Sequence, residues 1–266
     1  MEKIEFVNGW KDFFSKKKLK TFEDFILYTD GRIVNKNKKR DVVRMTFETD
    51  DGQRVFYMKR FYSPHYKDMI FAFMNHGQIC SQAELEYKNA RYLLDRRIET
   101  YRPVCFGSRS AYCLEKASFF VTEEIKGREV TDFIAENHQS MTEDQKNILI
   151  KAIAKFISKI HNSNISMSDL YLWHIFLINE KAAENGNYEF AVIDLHRMSV
   201  RLNLSKRARN LAAFNFSLNE KYFDDKLIKE FFDSYTGGLE INSKKLLSLV
   251  ARRTEILKGR RRRVEY

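Results

Sequence analysis

The segment "SMSDLYLWHIFLI", residues 166–178, places two polar side chains in a long apolar run. Asp169 and His174 lie five residues apart among leucine, isoleucine and aromatic residues. One interpretation is a core segment, in which the aspartate caps a turn and the histidine forms a buried hydrogen bond. The other interpretation is a reaction centre that the core holds in place. Charged residues elsewhere in the chain favour the second interpretation.

Three further charged residues follow the order of a phosphoryl-transfer site. Lys59 lies in a predicted strand, Glu86 in the helix predicted after it, and Asp194 at the end of the strand "FAVID". Phosphoryl transfer needs a cation on the donor's phosphates, a carboxylate for Mg²⁺ and a carboxylate near the attacking hydroxyl. The order strand lysine, helix glutamate, loop aspartate and strand aspartate is that of the protein-kinase signature set. Where that signature has its metal-binding asparagine, this chain has His174.

Two of these assignments have competitors on chemical grounds. An imidazole is a poor match for Mg²⁺, which prefers oxygen ligands. We therefore expect His174 to orient Asp169 or to contact phosphate rather than to bind the metal. Glu84 competes with Glu86 for Lys59, but residues two apart on a helix point about 200° apart. Only one of the two glutamates can therefore face the lysine.

The secondary-structure pattern changes along the chain from strands to helices. A hairpin is predicted at 41–62, where "TDDGQ" separates two strand-like runs and Asp-Gly favours a tight turn. The capping box Thr142-x-x-Gln145 predicts the start of a helix at 141–161. The remaining predictions are strands at 25–32, 102–110, 111–125 and 188–200, and helices at 81–97, 206–217, 225–238 and 242–259.

This order predicts an α+β chain of two lobes, with a break near residues 123–128. A small, β-rich N-lobe covers residues 1–123. A larger, mostly helical C-lobe covers residues 124–266 and ends in a basic tail. The chain has 266 residues, 44% of them hydrophobic, which is enough for a core in each lobe.

The composition limits the partners and the location of the chain. It has 47 Lys and Arg residues against 36 Asp and Glu residues, and its net charge of +11 predicts an anionic partner. The three cysteines form no CxxC pair, which argues against a zinc site and against a disulfide framework. The sequence has no signal-peptide pattern and no apolar run of about 20 residues. We therefore expect a cytosolic chain that contacts a membrane only peripherally.

Two motifs and several shorter segments match one family of kinases. "MSDLYLWHIFL" (167–177) matches the family's loop H-R-D-x-Y-x-x-H-F-L at its Asp, Tyr and His, and "VIDLHRM" (192–198) matches its I-D-L-H-R segment. Shorter matches are "EYKNARYLL", "RPVCFG", "FFVTEEIKG" and "NLAAFNFS". On these residues the chain resembles the lipopolysaccharide core kinases, the heptose and Kdo kinases related to protein kinases. The resemblance covers roughly residues 45–235.

The resemblance implies how the phosphate donor is bound. The fold is expected to be protein-kinase-like, and the cofactors ATP and Mg²⁺. Lys59, steadied by Glu86, is expected to bind the phosphates of ATP, and Asp194 is expected to hold Mg²⁺. The segment that contains Glu123 and Ile125 is expected to offer backbone groups to the adenine.

The resemblance also implies an acceptor, a sugar hydroxyl of the lipopolysaccharide inner core, with heptose the first candidate and Kdo the second. Asp169 is expected to accept or orient the proton of that hydroxyl, while His174 supports the loop. Segments 61–77 and 258–266 are candidate contacts with the glycolipid or an anionic membrane. A buried helix explains the first segment equally well, and a solvated basic tail is the usual interpretation of the second. The expected location is the cytoplasm, with peripheral attachment to the inner face of the inner membrane.

The chain departs from the family pattern at two places, and two other functions stay open. Met167-Ser168 stand where His-Arg is usual, and residues 25–58 contain only Gly31 and Gly52 instead of a G-x-G-x-x-G loop. A soluble small-molecule kinase of the aminoglycoside or choline type shares both lobes and both aspartates, but usually has H-x-D followed by asparagine. A non-catalytic kinase-like binding protein is the second alternative. Nucleic-acid binding is supported by charge alone, so no nucleic-acid partner is expected.

Overall fold

The computed structural model describes residues 1–7, 9–62, 73–74, 79–112, 114–183, 185–237, 239, 242–260 and 266. The chain divides into two compact units. Unit 1 comprises Met1–Asp95 and Tyr101–Glu124, and unit 2 comprises Arg96–Thr100 and Ile125–Tyr266. Residues for which catalytic or binding roles are predicted lie in both units: Lys59, Glu86 and Glu123 in unit 1, and Ile125, Asp169, His174 and Asp194 in unit 2.

Unit 1 is organised around an antiparallel sheet. Its strands are β1 Glu2–Phe6, β2 Arg32–Lys36, β3 Arg40–Thr49, β4 Gly52–Tyr62, β5 Pro103–Ala111 and β6 Leu114–Glu123, and its helices are α1 Trp10–Lys16, α2 Phe22–Ile26 and α3 Gln82–Leu94. The strand order is β1-β5-β6-β4-β3-β2. The hairpin predicted at 41–62 is confirmed as β3 and β4. Gly52 at its turn has a φ of 105°, which glycine adopts without steric cost.

One strand predicted for this unit is wrong. Residues 25–32 contain the end of α2 and only the first residue of β2. A capping box starts the helix: the Asp24 N–H donates to Thr21 Oγ1 at 3.3 Å, and the Thr21 N–H donates to Asp24 Oδ2 at 2.7 Å. Phe22 and Phe25 are then buried in the core of the unit. The capping box and the burial of two aromatic rings thus favour a helix over the strand that the β propensity of residues 25–32 predicts.

Helix α3 begins at a serine cap and turns one face inward. Ser81 Oγ accepts a hydrogen bond from the Glu84 N–H at 3.1 Å. Leu85, Glu86 and Leu93 are buried on the inner face of the helix. Helical spacing therefore places one carboxylate among apolar neighbours, which is stable only if the carboxylate has a partner.

Unit 2 is mostly helical in its described residues. Its helices are α4 Val130–Asn137, α5 Glu143–Asn162, α6 Glu180–Ala183, α7 Leu204–Ser217, α8 Asp225–Thr236 and α9 Ser243–Arg260. Its strands are β7 Arg128–Glu129, β8 Ser166–Met167, β9 Ile175–Leu177, β10 Phe190–Val192 and β11 Met198–Ser199. They pair in the orders β10-β9-β7 and β11-β8.

Most of the elements predicted for unit 2 are present. The capping box that begins with Thr142 starts α5. The strand predicted at 188–200 is shorter than expected, because β10 ends at Val192. Asp194 follows with a φ of 62°, a left-handed conformation that does not continue a strand. A short 3₁₀ helix, Leu195–Arg197, comes next.

The predictions of membrane contact concern parts of the chain that are only partly described. Most of the segments 61–77 and 258–266 lies outside the described residues. Within the part of the chain that the structure describes, no helix combines the length and the apolar character needed to cross a membrane. The roles suggested for both segments therefore stay predictions.

Candidate active site

Lys59 and Glu86 form an ion pair inside unit 1. Lys59 lies on β4, and Glu86 lies on the inner face of α3. Lys59 Nζ is 2.9 Å from Oε2 of Glu86 and 3.3 Å from its Oε1. Glu86 is fully buried, whereas 19% of the Lys59 side chain is exposed. The carboxylate therefore fixes the ammonium group, which keeps access to solvent.

Tyr101 completes the surroundings of this pair. Its hydroxyl donates to Glu86 Oε2 at 3.1 Å, and its ring centre lies 5.9 Å from Lys59 Nζ. A buried carboxylate needs such donors, since leaving a charge unpaired in a protein interior costs several kcal/mol. Glu84 instead pairs with Lys88 at 2.9 Å. Of the two glutamates that compete for Lys59, the fold thus presents Glu86.

The loop between β8 and β9 carries Asp169 in unit 2. The His174 ring contacts the backbone of this loop, with Nδ1 2.8 Å from the carbonyl oxygen of Asp169. Because a carbonyl only accepts, Nδ1 carries the hydrogen. Arg197 Nη1 lies 3.5 Å from Asp169 Oδ2. The carboxylate thus faces a cation, and the imidazole fixes the backbone behind it.

Asp194 lies two residues after the end of strand β10. Its φ of 62° and ψ of 64° turn the chain sharply, and strained backbone of this kind clusters at functional sites. His196 Nδ1 lies 2.9 Å from Asp194 Oδ1, and His174 Nε2 lies 4.0 Å from Oδ2. His174 therefore contacts the backbone of Asp169 and lies 4.0 Å from the carboxylate of Asp194, the two aspartates for which the sequence predicts a role in the reaction.

The residues predicted to contact adenine lie at the end of β6 and just after it. The Glu123 N–H donates to the Arg102 carbonyl at 2.9 Å. Glu123 and Ile125 are both partly exposed. Between them, Glu124 accepts a hydrogen bond from the Tyr57 hydroxyl at 3.3 Å. Burial and the carboxylate of Glu124 raise the pKa of Tyr57, so this hydroxyl stays protonated as a donor.

The turn between β2 and β3 has no glycine and is strongly basic. It consists of Asn37, Lys38 and Lys39, and it is flanked by Lys36 at the end of β2 and Arg40 at the start of β3. Asn37 Oδ1 accepts from the backbone N–H groups of Lys39 and Arg40, both at 2.9 Å. Backbone N–H groups that a glycine-rich loop offers to phosphate are thus already used here. Any attraction of this turn to phosphate rests on its lysine side chains.

Comparison with known protein families identifies the chain. A family model described as "Lipopolysaccharide kinase (Kdo/WaaP) family" matches residues 26–235, most of the chain. The chain belongs to the Kdo/WaaP family. The resemblance to heptose and Kdo kinases that the motifs indicate is therefore confirmed.

Individual relatives within the Kdo/WaaP family share less than 30% of their residues with the chain over the matched regions. The chain is 29% identical to the lipopolysaccharide core heptose(I) kinase WaaP of Pseudomonas aeruginosa over 139 residues, which is 51% of this chain and 52% of that protein. It is 27% identical to the enzyme of the same name from Escherichia coli K12 over 68% of this chain and 71% of that protein. The match thus spans about half the length of the Pseudomonas relative.

A solved structure supports the fold. The structure of WaaP in complex with acyl carrier protein superposes with a TM-score of 0.71, at 20% sequence identity, over 96% of this chain and 99% of that chain. The prediction of an α+β, protein-kinase-like fold is confirmed. At this identity the likeness concerns the fold alone.

Three residues of this Kdo/WaaP chain that touch the predicted site were not predicted as members of it. Tyr101 holds Glu86, Arg197 faces Asp169, and His196 holds Asp194. His196 and Arg197 were visible in the sequence only as part of the "DLHR" motif, and nothing in the sequence around Tyr101 indicates its contact. Arg197 also supplies a cation beside the loop aspartate, where Met167-Ser168 offer none.

The side chains around Asp194 differ in how well their donor atoms suit Mg²⁺. Mg²⁺ takes oxygen ligands, usually one or two carboxylates together with phosphate oxygens and water. Asp194 offers carboxylate oxygens, whereas His174 and His196 offer nitrogen. The hydrogen bond of His174 Nδ1 to the Asp169 carbonyl also gives the imidazole a structural task. Of Asp194, His174 and His196, Asp194 therefore has the donor atoms that fit Mg²⁺.

Proposed function

We propose that this chain is an ATP-dependent kinase that phosphorylates a sugar hydroxyl of the lipopolysaccharide inner core, heptose in the first place and Kdo in the second. Membership of the Kdo/WaaP family and the names of its relatives support the reaction and the acceptor. The observation that carries the proposal is the Lys59–Glu86 ion pair. A lysine held by a helix glutamate is the phosphate-binding device of protein kinases.

The residues of unit 2 carry the transfer step. Asp169 accepts the proton of the sugar hydroxyl as its oxygen bonds to the γ-phosphorus of ATP, while the bond from that phosphorus to the bridging oxygen breaks and ADP leaves. His174 holds the backbone of the loop through the Asp169 carbonyl. Mg²⁺, when bound at Asp194, neutralises charge on the phosphates.

The residues of unit 1 bind the donor. Lys59 contacts the α- and β-phosphates, and Glu86 with Tyr101 keeps the ammonium group in place. Glu123, together with Ile125 two residues later in the chain, offers backbone groups to the adenine. The lysines of the β2–β3 turn add positive charge where a glycine-rich loop offers N–H groups.

The acceptor is an anionic glycolipid, and a basic surface suits it. Helix α9 exposes five cationic side chains, namely Lys244, Lys245, Arg252, Lys258 and Arg260. We assign this helix a peripheral contact with an anionic membrane at the inner face of the inner membrane, where each basic residue near the surface is worth about 1 kcal/mol. The chain's net charge of +11 acts in the same direction.

Transfer from labelled ATP tests the function. The purified chain is incubated with Mg²⁺ and either heptose-containing core lipopolysaccharide, core that ends at Kdo, or small aminoglycoside and choline-type alcohols. We expect label on the heptose-containing core. Mass spectrometry of lipopolysaccharide from cells with and without the gene is expected to show the mass of one phosphate group on the same sugar.

Two variants set the controls for this experiment. Asp169→Asn should abolish transfer while the chain keeps its circular dichroism spectrum. Asp233→Asn changes an exposed aspartate of α8 and should leave transfer intact. Label on small alcohols but not on core would favour a soluble small-molecule kinase. A folded wild-type chain that turns over no ATP would favour a non-catalytic binding protein.

A further inference from the structure

The loop that carries Asp169 is tied to α7 at both of its ends. Before the aspartate, the Met167 N–H donates to Asn210 Oδ1 at 2.9 Å. After it, the Leu172 N–H donates to Ser217 Oγ at 2.8 Å. Asn210 and Ser217 are both buried. The backbone of the loop is thus held by two side chains of one helix.

The spacing of these two side chains matches the loop. Asn210 and Ser217 are seven residues apart, which is close to two turns of a helix and places them on one face, about 10 Å apart. Asp169 lies in the loop between the two tied residues. A rigid helix therefore fixes the distance between the two ends of the loop.

A chain of hydrogen bonds orients the first of these side chains. His161 Nε2 lies 3.2 Å from Asn210 Oδ1, and His161 Nδ1 lies 2.6 Å from the Tyr235 hydroxyl. Arg207 Nη1 lies 2.5 Å from the same hydroxyl. Because the amide oxygen only accepts, Nε2 carries the hydrogen and Nδ1 accepts from Tyr235. Every donor in this chain points toward Asn210.

The network is electrically neutral apart from Arg207. Burial, with the charge of Arg207, lowers the pKa of His161 to about 3. Burial raises the pKa of Tyr235 to about 12. Neither group changes its protonation state near neutral pH, so the direction of the hydrogen bonds is fixed.

The sequence of the loop explains why such ties are needed. Met167-Ser168 replace the His-Arg pair that is usual before the aspartate, and both residues lack a side chain that resembles either. The two ties use backbone N–H groups and so do not depend on those side chains. Asn210 holds the loop through its amide oxygen, which accepts from the Met167 N–H. Within the described residues its buried Nδ2 has no hydrogen-bond partner.

We propose that Asn210 and Ser217 are positioning residues that hold Asp169 at its reacting geometry, and that His161 orients Asn210 for this task. The inference rests on the proposed kinase function and adds residues that act through the loop. Misplacement of a catalytic group by about 1 Å can cost up to about 100-fold in rate. A shift of either tie therefore lowers the rate of transfer, while the binding of ATP by Lys59 in unit 1 is unaffected.

Steady-state kinetics of four variants test this. Asn210→Ala and Ser217→Ala remove the acceptors, and Asn210→Asp keeps an acceptor oxygen. Asn215→Ala is the matched control, because this residue also lies on α7 but bonds Thr254. We expect kcat to fall by about 10- to 100-fold in Asn210→Ala and Ser217→Ala, with little change in the KM for ATP. Asn210→Asp should restore most of kcat.

Hydrogen exchange gives a second readout that does not need turnover. Segment 166–174 should exchange faster in Asn210→Ala and Ser217→Ala than in Asn215→Ala. The inference would be overturned if Asn210→Ala and Ser217→Ala had the same kcat and exchange rate as Asn215→Ala. It would also be overturned if the kcat of Asn210→Asp were no higher than that of Asn210→Ala. If Asn210→Ala does not fold, Ser217→Ala decides alone. A wild-type chain without transfer would instead count against the kinase function, and faster exchange would still report the ties.

Discussion

The predicted functional residues of the two units are held by different forces. In unit 1, a full charge holds Lys59, because Glu86 is buried and lies 2.9 Å away. In unit 2, neutral hydrogen bonds from α7 hold the backbone around Asp169. Removing one member of a buried charge pair strongly lowers the free energy of unfolding, because the other charge stays buried without its partner. A neutral hydrogen bond contributes less, about 0.5–1.5 kcal/mol, although a buried donor that loses its acceptor costs about 1–3 kcal/mol.

The largest effect is expected for Lys59→Met. This change leaves Glu86 buried with Tyr101 as its remaining described donor, and breaking a buried pair in this way costs about 3–5 kcal/mol. Transfer should also fall by about 100- to 1,000-fold, because one electrostatic contact to the phosphates is lost. Urea unfolding and transfer assays measure the two losses.

Lys229→Met is the matched control for that variant. Lys229 pairs with Asp233 on the exposed surface of α8. Exposed pairs contribute about 0–1 kcal/mol, so this change should scarcely alter the unfolding free energy. Equal losses in the two lysine variants would show that the buried pair does not dominate unit 1.

A smaller loss is expected for Tyr101→Phe. The change removes one hydrogen bond to a buried carboxylate, and hydrogen bonds to charged groups contribute about 1.5–3 kcal/mol. A double-mutant cycle with Lys59→Met measures how far the two donors depend on each other. Because both contact Glu86, we expect the two losses not to add. Strict additivity would mean that Tyr101 acts independently of the pair.

The neutral network of unit 2 predicts a dependence of stability on pH. The folded-state pKa of His161, about 3, lies below the unfolded value of about 6.5. The unfolded chain therefore binds a proton first, and stability falls as the pH falls from about 6.5 toward 3, by about 1.4 kcal/mol per pH unit. In His161→Gln this contribution should be absent. Urea unfolding between about pH 5 and pH 7 compares the slopes, and equal slopes would contradict the prediction.

The sequence predicts the functional residues of the two units with different completeness. Lys59 was predicted from its position in the chain. Helical spacing showed only that one of Glu84 and Glu86 can face it, and the match to the family favoured Glu86. Asp169, His174 and Asp194 could be placed by the order of a signature. The ties to α7 could not, because Asn210 and Ser217 lie 43 and 45 positions from their partners. Helix α2 was missed for a local reason, since the capping box at Thr21 precedes only a short helix.

The smallest effect on stability is expected for Arg197→Ala. Arg197 Nη1 lies 3.5 Å from Asp169 Oδ2, and 56% of the Arg197 side chain is exposed, so the unfolding free energy should change by less than about 1 kcal/mol. The rate should fall further, by about tenfold, because this cation orients the carboxylate beside Met167-Ser168. Arg197→Lys should be intermediate, since an ammonium lacks the planar fork of a guanidinium.

Arg253→Ala provides the control, because Arg253 lies on α9 and its Nη2 donates to Ser205 Oγ at 3.0 Å. If Arg197→Ala keeps the kcat of this control, the contact with Asp169 is incidental and the loop depends on α7 alone. If its kcat falls while its stability does not, unit 2 combines neutral ties for the backbone with one exposed charge for the carboxylate. That result would contrast with unit 1, where we propose that a single buried charge pair provides both stability and phosphate binding.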